Sequence, residues 1–133
     1  MATWADVRRL ALALPGTTEG TSYGGQAWKV RDRTFAWERP LRRADVEHLG
    51  DAAPDGPVLA VAVADEGVKH ALVADDPAVH LTTPHFDGYA VVLVRLDAVD
   101  VGELAELLTE AWLAKAPKRL AREHLATGRT DPS

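Results

Sequence analysis

The strongest constraint on the fold comes from two short apolar runs rich in valine, residues 58–63 and 89–96. β-Branched side chains favour strands, and a continuous apolar run is typical of a strand whose two faces are both covered. We therefore predict a central strand over residues 58–63 and a second strand over residues 89–96.

A hairpin is predicted before the central strand, with strands at 26–30 and 34–39 and a tight turn at 31–32. Side chains alternate between the two faces of a strand. Trp28 and Val30 are therefore expected to share one face of the first strand, and Phe35 and Trp37 one face of the second. We expect both tryptophans to point inward.

Helices are predicted where apolar residues recur at a spacing of three and four. The apolar stripes are Val7, Leu10, Ala11 and Leu14 in a first helix, Val68, Ala71 and Leu72 in a second, and Val101, Leu104, Leu107, Leu108, Ala111 and Trp112 in a third. Thr3 and Asp6 are expected to form a capping box that starts the first helix. Pro117 begins a last, more basic helix that is expected to end at Gly128.

These elements predict an α+β fold built on a mostly antiparallel sheet. Their order is α-β-β-β-α-β-β-α plus a terminal helix, with a short strand at 79–81 and a loop at 17–25. Strands that come in groups separated by helices favour this class. Residues 1–127 are expected to form a single domain with helices mostly on one side of the sheet. Residues 128–133 are expected to form a mobile tail.

The composition is that of a globular protein, and it excludes several kinds of site. The 133 residues are 47% hydrophobic and 26% charged, and none is a cysteine. Disulfides, thiolate nucleophiles and cysteine-ligated metals are therefore excluded. No run approaches the roughly 18 apolar residues of a membrane span, and no export signal is recognisable. We expect a cytoplasmic protein with no membrane partner.

The net charge of −5 conceals two basic segments. Residues 28–43 contain six basic and two acidic residues, and residues 115–129 contain five basic residues and one acidic residue. The segment between them, 44–114, contains fourteen acidic and two basic residues. If folding brings the two basic segments together, they form an anion-binding face. If it does not, they are two solvated parts of an ordinary surface.

Several segments resemble the MmcQ/YjbR-like proteins, and together they cover nearly the whole chain. The similar segments are LPGTTE (14–19), YG (23–24), AWKV (27–30), FAW (35–37), PHFDGY (84–89), VLV (92–94), AW (111–112) and APKRL (116–120). The resemblance implies a compact α+β fold similar to a so-called double wing. Members of the family are commonly labelled DNA-binding, largely from the shape of the fold. The arginine-rich stretch 38–43 departs from the family pattern.

Two motifs could indicate catalysis or metal binding. Residues 20–24 read GTSYG and match the G-x-S-x-G nucleophile elbow, which needs a strand before the serine and a helix after it. Here a strand follows, so we interpret the match as coincidental. His80, His85 and Asp87 offer ligand atoms, but a turn capped by side chains explains His85 and Asp87 more simply. We expect no catalytic residues, no metal and no cofactor.

Three functions remain open, and the sequence favours a binding protein over an enzyme. The first is contact with a nucleic-acid backbone, with little sequence specificity, through Lys29, Arg31, Arg33, Lys118, Arg119 and Arg122. The second is binding or regulation of a protein partner through the aromatic sheet face. The third is a small-molecule site around Tyr23, Trp28, Lys29, His85 and Lys118.

Overall fold

A computed structural model describes residues 2–22, 25–54 and 56–130 of the chain. The strands are β1 (Thr17–Ser22), β2 (Gly25–Val30), β3 (Arg33–Glu38), β4 (Val58–Ala62), β5 (His80–Leu81) and β6 (Val91–Arg95). The helices are α1 (Trp4–Leu12), α2 (Arg43–Leu49), α3 (Glu66–Asp75), α4 (Val101–Lys115) and α5 (Lys118–Thr130). Two 3₁₀ turns span Gly50–Ala52 and Pro84–Phe86. Within these ranges, no helix is both long enough and apolar enough to cross a membrane.

The six strands form a single antiparallel sheet in the order β1-β2-β3-β4-β6-β5. This arrangement confirms the predicted α+β class. All five residues of β4 are buried, as expected for a central strand. The predicted loop at 17–25 is wrong, because β1 pairs with β2 along its whole length from Thr17 to Ser22. An edge strand can be polar because one of its sides faces water, so β1 lacks the apolar pattern of its neighbours.

The larger core lies on the face of the sheet that α1 and α4 cover. β4 contributes Leu59 and Val61 to it, while the alternating residues Val58 and Ala60 belong to a smaller core on the opposite face. The larger core also contains Val7, Ala11, Trp28, Val92, Val94, Leu104, Leu108, Ala111 and Trp112. The smaller core also contains Leu81, Phe86 and Leu93, with Trp37, Leu41 and Leu49 packed at its margin. The helical stripes predicted for α1 and α4 therefore supply most of the large core.

The turn between β2 and β3 is tight, as predicted. Arg31 and Asp32 both have positive φ, at 50° and 68°. Positive φ at two successive turn residues is the requirement of a type I′ hairpin turn, whose twist matches that of the flanking strands. The two residues therefore hold Arg33 and Val30 opposite each other at the start of the ladder.

The hairpin contains a bulge that separates two aromatic residues expected on one face. Trp28 pairs with Ala36, but the next residue, Lys29, pairs with Thr34, so Phe35 is an extra residue in β3. An extra residue reverses the alternation beyond it. Phe35 is therefore fully buried in the larger core, whereas Trp37 packs against the smaller core on the other face. The prediction that Phe35 and Trp37 share a face is wrong for this reason.

The ends of two helices agree with sequence capping signals, and one end does not. The Thr3 hydroxyl accepts from the Asp6 N–H at 3.3 Å and the Asp6 carboxylate accepts from the Thr3 N–H at 2.9 Å, which confirms the capping box. The Asp100 carboxylate accepts from the Gly102 N–H and caps α4. The last helix, expected to end at Gly128, continues to Thr130. The last three residues of the expected tail, 131–133, lie outside the described ranges.

The buried residue of α3 is a lysine, which the apolar pattern did not indicate. Val68 is 39% exposed and Ala71 is exposed, whereas Lys69 is only 1% exposed. Its ammonium donates to the carbonyl of Phe86 at 2.6 Å and to the carbonyl of Tyr89 at 3.0 Å. The predicted stripe of Val68, Ala71 and Leu72 is therefore wrong except for Leu72, which is half-buried against the larger core. Lys69 instead tethers the segment that follows β5.

Replacement of Lys69 by methionine should lower the free energy of unfolding. Methionine keeps the apolar stem but removes the donors. The Phe86 carbonyl keeps its hydrogen bond from the Tyr89 N–H, so the group left without a partner is the Tyr89 carbonyl, and such a loss costs about 1–3 kcal/mol. We expect a loss in that range in urea denaturation. His70→Ala, at the exposed neighbouring position, is the control. Equal stability of the Lys69→Met variant and the unchanged protein would show that the tether contributes nothing.

Candidate functional site

The hairpin turn and the start of α5 meet at one end of the molecule. The Arg33 guanidinium donates to the carbonyl of Lys115, the last residue of α4, at 3.2 Å. Gly16 lies between Arg31 and Leu120: a Cβ atom at Gly16 would lie 3.6 Å from Arg31 Nε and 3.4 Å from Leu120 Cδ2. The two basic segments of the sequence therefore become neighbours in the fold.

We call this surface the basic end; it comprises Arg31, Arg33, Lys118, Arg119 and Arg122. Arg31 and Arg119 line one small cleft of about 380 Å³ together with Pro117, Leu120 and Glu123. Glu123 forms an ion pair with Arg119 at 3.5 Å, so one acidic group offsets part of this charge. Lys118 and Arg122 are exposed and four residues apart, a spacing that puts them on one face of the helix.

Lys29, the sixth residue predicted to contact nucleic acid, does not join the basic end. It alternates in β2 with Trp28 and Val30, which both belong to the larger core beneath α4 and α5. Its half-buried side chain therefore leaves the sheet on the opposite face.

The residues predicted to form a small-molecule site are not brought together. Trp28 is fully buried in the larger core, stacks on Trp4, and donates its indole N–H to Glu19 at 3.2 Å. His85 lies on the other face of the sheet against Phe86, with 4.8 Å between their ring centroids. Tyr23 lies outside the described residues.

A groove that the sequence did not indicate lies on the second face of the sheet, at the far end of β3 from the hairpin turn. We call it the aromatic groove; it encloses about 620 Å³. Its aromatic residues are Trp37, His85, Phe86 and Tyr89, and its charged residues are Glu38, Arg39 and Arg42. The arginine-rich stretch 38–43 was the one signal in the sequence that could have pointed to it.

A buried ion pair forms one side of the aromatic groove. Arg39 is 6% exposed and Asp45 is 4% exposed, and their side chains meet at 3.1 Å. Arg39 also lies 5.3 Å above the centre of the Phe86 ring and donates to the Pro40 carbonyl. The Asp45 carboxylate accepts a second hydrogen bond from the Arg42 N–H at 2.9 Å, which caps α2. The pair thus joins β3, α2 and the 84–86 turn.

The environment of Asp45 lowers the pKa of its carboxyl. Burial raises the pKa, but the hydrogen bond from the Arg42 N–H and the charge of Arg39 outweigh that effect, so it lies below the ordinary value of 3.8. The folded protein therefore holds Asp45 ionised more strongly than the unfolded chain does.

Other predicted or conceivable sites are not assembled in the described residues. No three His, Cys, Asp or Glu side chains there converge as metal ligands. The five exposed large hydrophobic side chains in the same ranges lie on separate parts of the fold: Leu12, Val46, Val68, Tyr89 and Leu125. Partner binding through an aromatic sheet face therefore stays a prediction with no patch to support it.

Comparison with known proteins agrees with this architecture. The family model described as YjbR matches residues 12–114. The chain belongs to the YjbR family. A solved structure of a protein with a YjbR-like fold, DR2400 of Deinococcus radiodurans, described as having the family-model domain DUF419, matches with a TM-score of 0.67 and 24% identity. That match covers 95% of this chain and 89% of the other, and at this identity it concerns the fold alone.

Close relatives of this YjbR protein occur in mycobacteria. They are the uncharacterized protein Rv2570 of Mycobacterium tuberculosis and the uncharacterized protein Mb2600 of Mycobacterium bovis. Each is 52% identical over 129 residues, which covers 95% of this chain and 98% of the relative. The similarity to these relatives covers almost the full chain.

Removal of the Asp45 carboxylate should destabilise the YjbR domain and weaken its response to acid. Asp45→Ala leaves Arg39 buried without its partner, a change that typically costs about 3–5 kcal/mol. Because the folded pKa is lowered, the contribution of Asp45 is complete above about pH 5 and is lost as the pH falls through the folded pKa. Urea denaturation at several pH values between neutral and acid measures both effects.

The matched control is Glu47→Ala, which removes an exposed carboxylate from the same helix. We expect its stability to follow that of the unchanged protein. If Asp45→Ala lost stability in acid as steeply as the unchanged protein, the lowered pKa of Asp45 would not be the cause of that loss.

Proposed function

We propose that this YjbR protein binds the sugar–phosphate backbone of nucleic acid through the basic end, with little discrimination between sequences. The observation that carries the proposal is the junction of the hairpin turn with the α4–α5 corner, where Arg33 bonds the Lys115 carbonyl and Arg31 flanks Leu120 across Gly16. Cations from segments about 80 residues apart in the chain thereby share one surface.

The chemistry of these side chains suits phosphate contacts better than base recognition. Guanidinium and ammonium groups neutralise phosphates, and such contacts fix position without specifying sequence. Trp28 and Trp112 are both fully buried, and the His124 ring on α5 packs against Trp112 at 5.0 Å between ring centroids, so these rings do not support base stacking. A ligand at the basic end is therefore expected to be held by charge alone.

The anchoring of Arg33 also supports the proposal. Its guanidinium is held by the carbonyl at the C-terminus of α4. A held side chain loses less conformational entropy on binding than a free one. Arg31, Lys118 and Arg122 are exposed, and we expect them to extend the same surface.

The test is binding of a labelled 20-base-pair duplex, followed by fluorescence anisotropy over a range of salt concentrations. With about five phosphate contacts, log K should fall against log[salt] with a slope of about −4 to −5. Two unrelated sequences should bind alike. The Arg31→Gln/Lys118→Gln double variant should reduce the slope by about 2 and weaken binding to both duplexes equally.

The control is Arg9→Gln/Arg43→Gln, which removes the same total charge from exposed positions outside the basic end and the aromatic groove. It should leave the slope nearly unchanged if the basic end is the contact surface. Absence of binding at low salt would refute the proposal, and so would an equal loss in both double variants.

A further inference from the structure

The aromatic groove has the shape of a small-molecule site, and its walls come from separate parts of the chain. Trp37 from β3 lies 6.5 Å from Phe86, measured between ring centroids, and Tyr89 follows on the same segment as Phe86. Tyr89 is 63% exposed, whereas Trp37 is half-buried and Phe86 is only 6% exposed. The volume of about 620 Å³ lies within the range of ordinary ligand pockets.

One charged group in the groove has no partner among the described residues. Arg39 is already held by Asp45, but the exposed Arg42 forms no ion pair or side-chain hydrogen bond in the described ranges. Glu38 pairs with Leu59 of the larger core and alternates with Trp37, so its side chain leaves β3 on the opposite face. The groove therefore presents one free cation beside its aromatic surface.

The walls of the groove are fixed before any ligand arrives. Lys69 holds the carbonyls of Phe86 and Tyr89, and the Arg39–Asp45 pair holds the chain that leads from β3 into α2. A preformed site loses less entropy on binding than one that must order its loops. This arrangement is typical of a site that binds a small rigid molecule.

We propose that the aromatic groove binds a planar aromatic molecule that carries an acidic group. The ring lies against Trp37 and Tyr89, and the acidic group pairs with Arg42. A mononucleotide and an indole carboxylic acid both have this chemistry. The site is separate from the basic end, since the two lie at opposite ends of β3 and on opposite faces of the sheet.

The experiment is a titration of the ¹⁵N-labelled protein with AMP and with indole-3-acetate, followed by NMR. The indole N–H signal of Trp37, assigned from the Trp37→Phe variant, reports occupancy of the groove. Adenosine lacks the acidic group, and inorganic phosphate lacks the ring. We expect saturable shifts with AMP or indole-3-acetate, binding of adenosine about tenfold weaker than AMP, and no saturation with phosphate.

Variants separate the contributions of the ring and the acid. Arg42→Gln should weaken the binding of AMP or indole-3-acetate about tenfold and leave adenosine unaffected. Tyr89→Ala should weaken every aromatic ligand, by about fivefold or more. Arg43→Gln, an exposed arginine next to Arg42 that pairs with Glu47 outside the groove, should change nothing.

The outcomes distinguish the two classes of ligand and test the proposal itself. Saturation by AMP alone supports a nucleotide, and saturation by indole-3-acetate alone supports a carboxylic acid. Failure of both at millimolar concentration overturns the proposal. Two other results would also overturn it. One is that inorganic phosphate binds as tightly as AMP, and the other is that the Arg42→Gln variant binds these ligands with the affinity of the unchanged protein.

Discussion

One extra residue in β3 decides which core each aromatic side chain of the hairpin enters. Without the bulge at Phe35, strict alternation would put Phe35 and Trp37 on one face and leave Ala36 on the other. With it, Phe35 and Ala36 both enter the larger core, and Trp37 turns to the second face. The larger core thus gains a buried aromatic ring beneath α4, and the second face gains the first wall of the aromatic groove.

The charged side chains buried around the aromatic groove stabilise the fold and are not available to ligands. Lys69 is surrounded by protein and bonds two carbonyls, and Arg39 bonds Asp45 and lies over Phe86. Removing such charges from water is costly unless each donor finds an acceptor, which explains why both are bound to fixed groups. Their role is to hold the 84–89 segment and the β3–α2 connection against each other. Exposed Arg42 differs from both, because its guanidinium forms no ion pair or hydrogen bond with the described residues.

The fold could be predicted from the sequence wherever one face of an element is apolar. α1, α4 and β4 have such faces, and each lies where the pattern indicated. β1 could not be found because an edge strand without apolar residues has no periodicity to detect. The burial of Lys69 could not be found because its acceptors are carbonyls seventeen and twenty residues away, which leave no trace in side-chain pattern. The groove was missed for the same reason, since its residues converge only after β3 and β6 pair through β4.

The overall acidity of the chain does not oppose a basic end as strongly as the net charge suggests. Most acidic residues belong to the segment 44–114, and α4 separates several of them from the basic end. Glu103 lies twelve residues before Lys115, or about 18 Å along the helix axis. At physiological salt, exposed charges are largely screened beyond about 8 Å. The acidic groups that matter most are therefore the near ones. Asp32 stands between Arg31 and Arg33 in the hairpin turn, Glu110 lies about 7.5 Å before Lys115 along α4, and Glu123 pairs with Arg119. Local composition, rather than the total of −5, sets the potential that an approaching phosphate meets there.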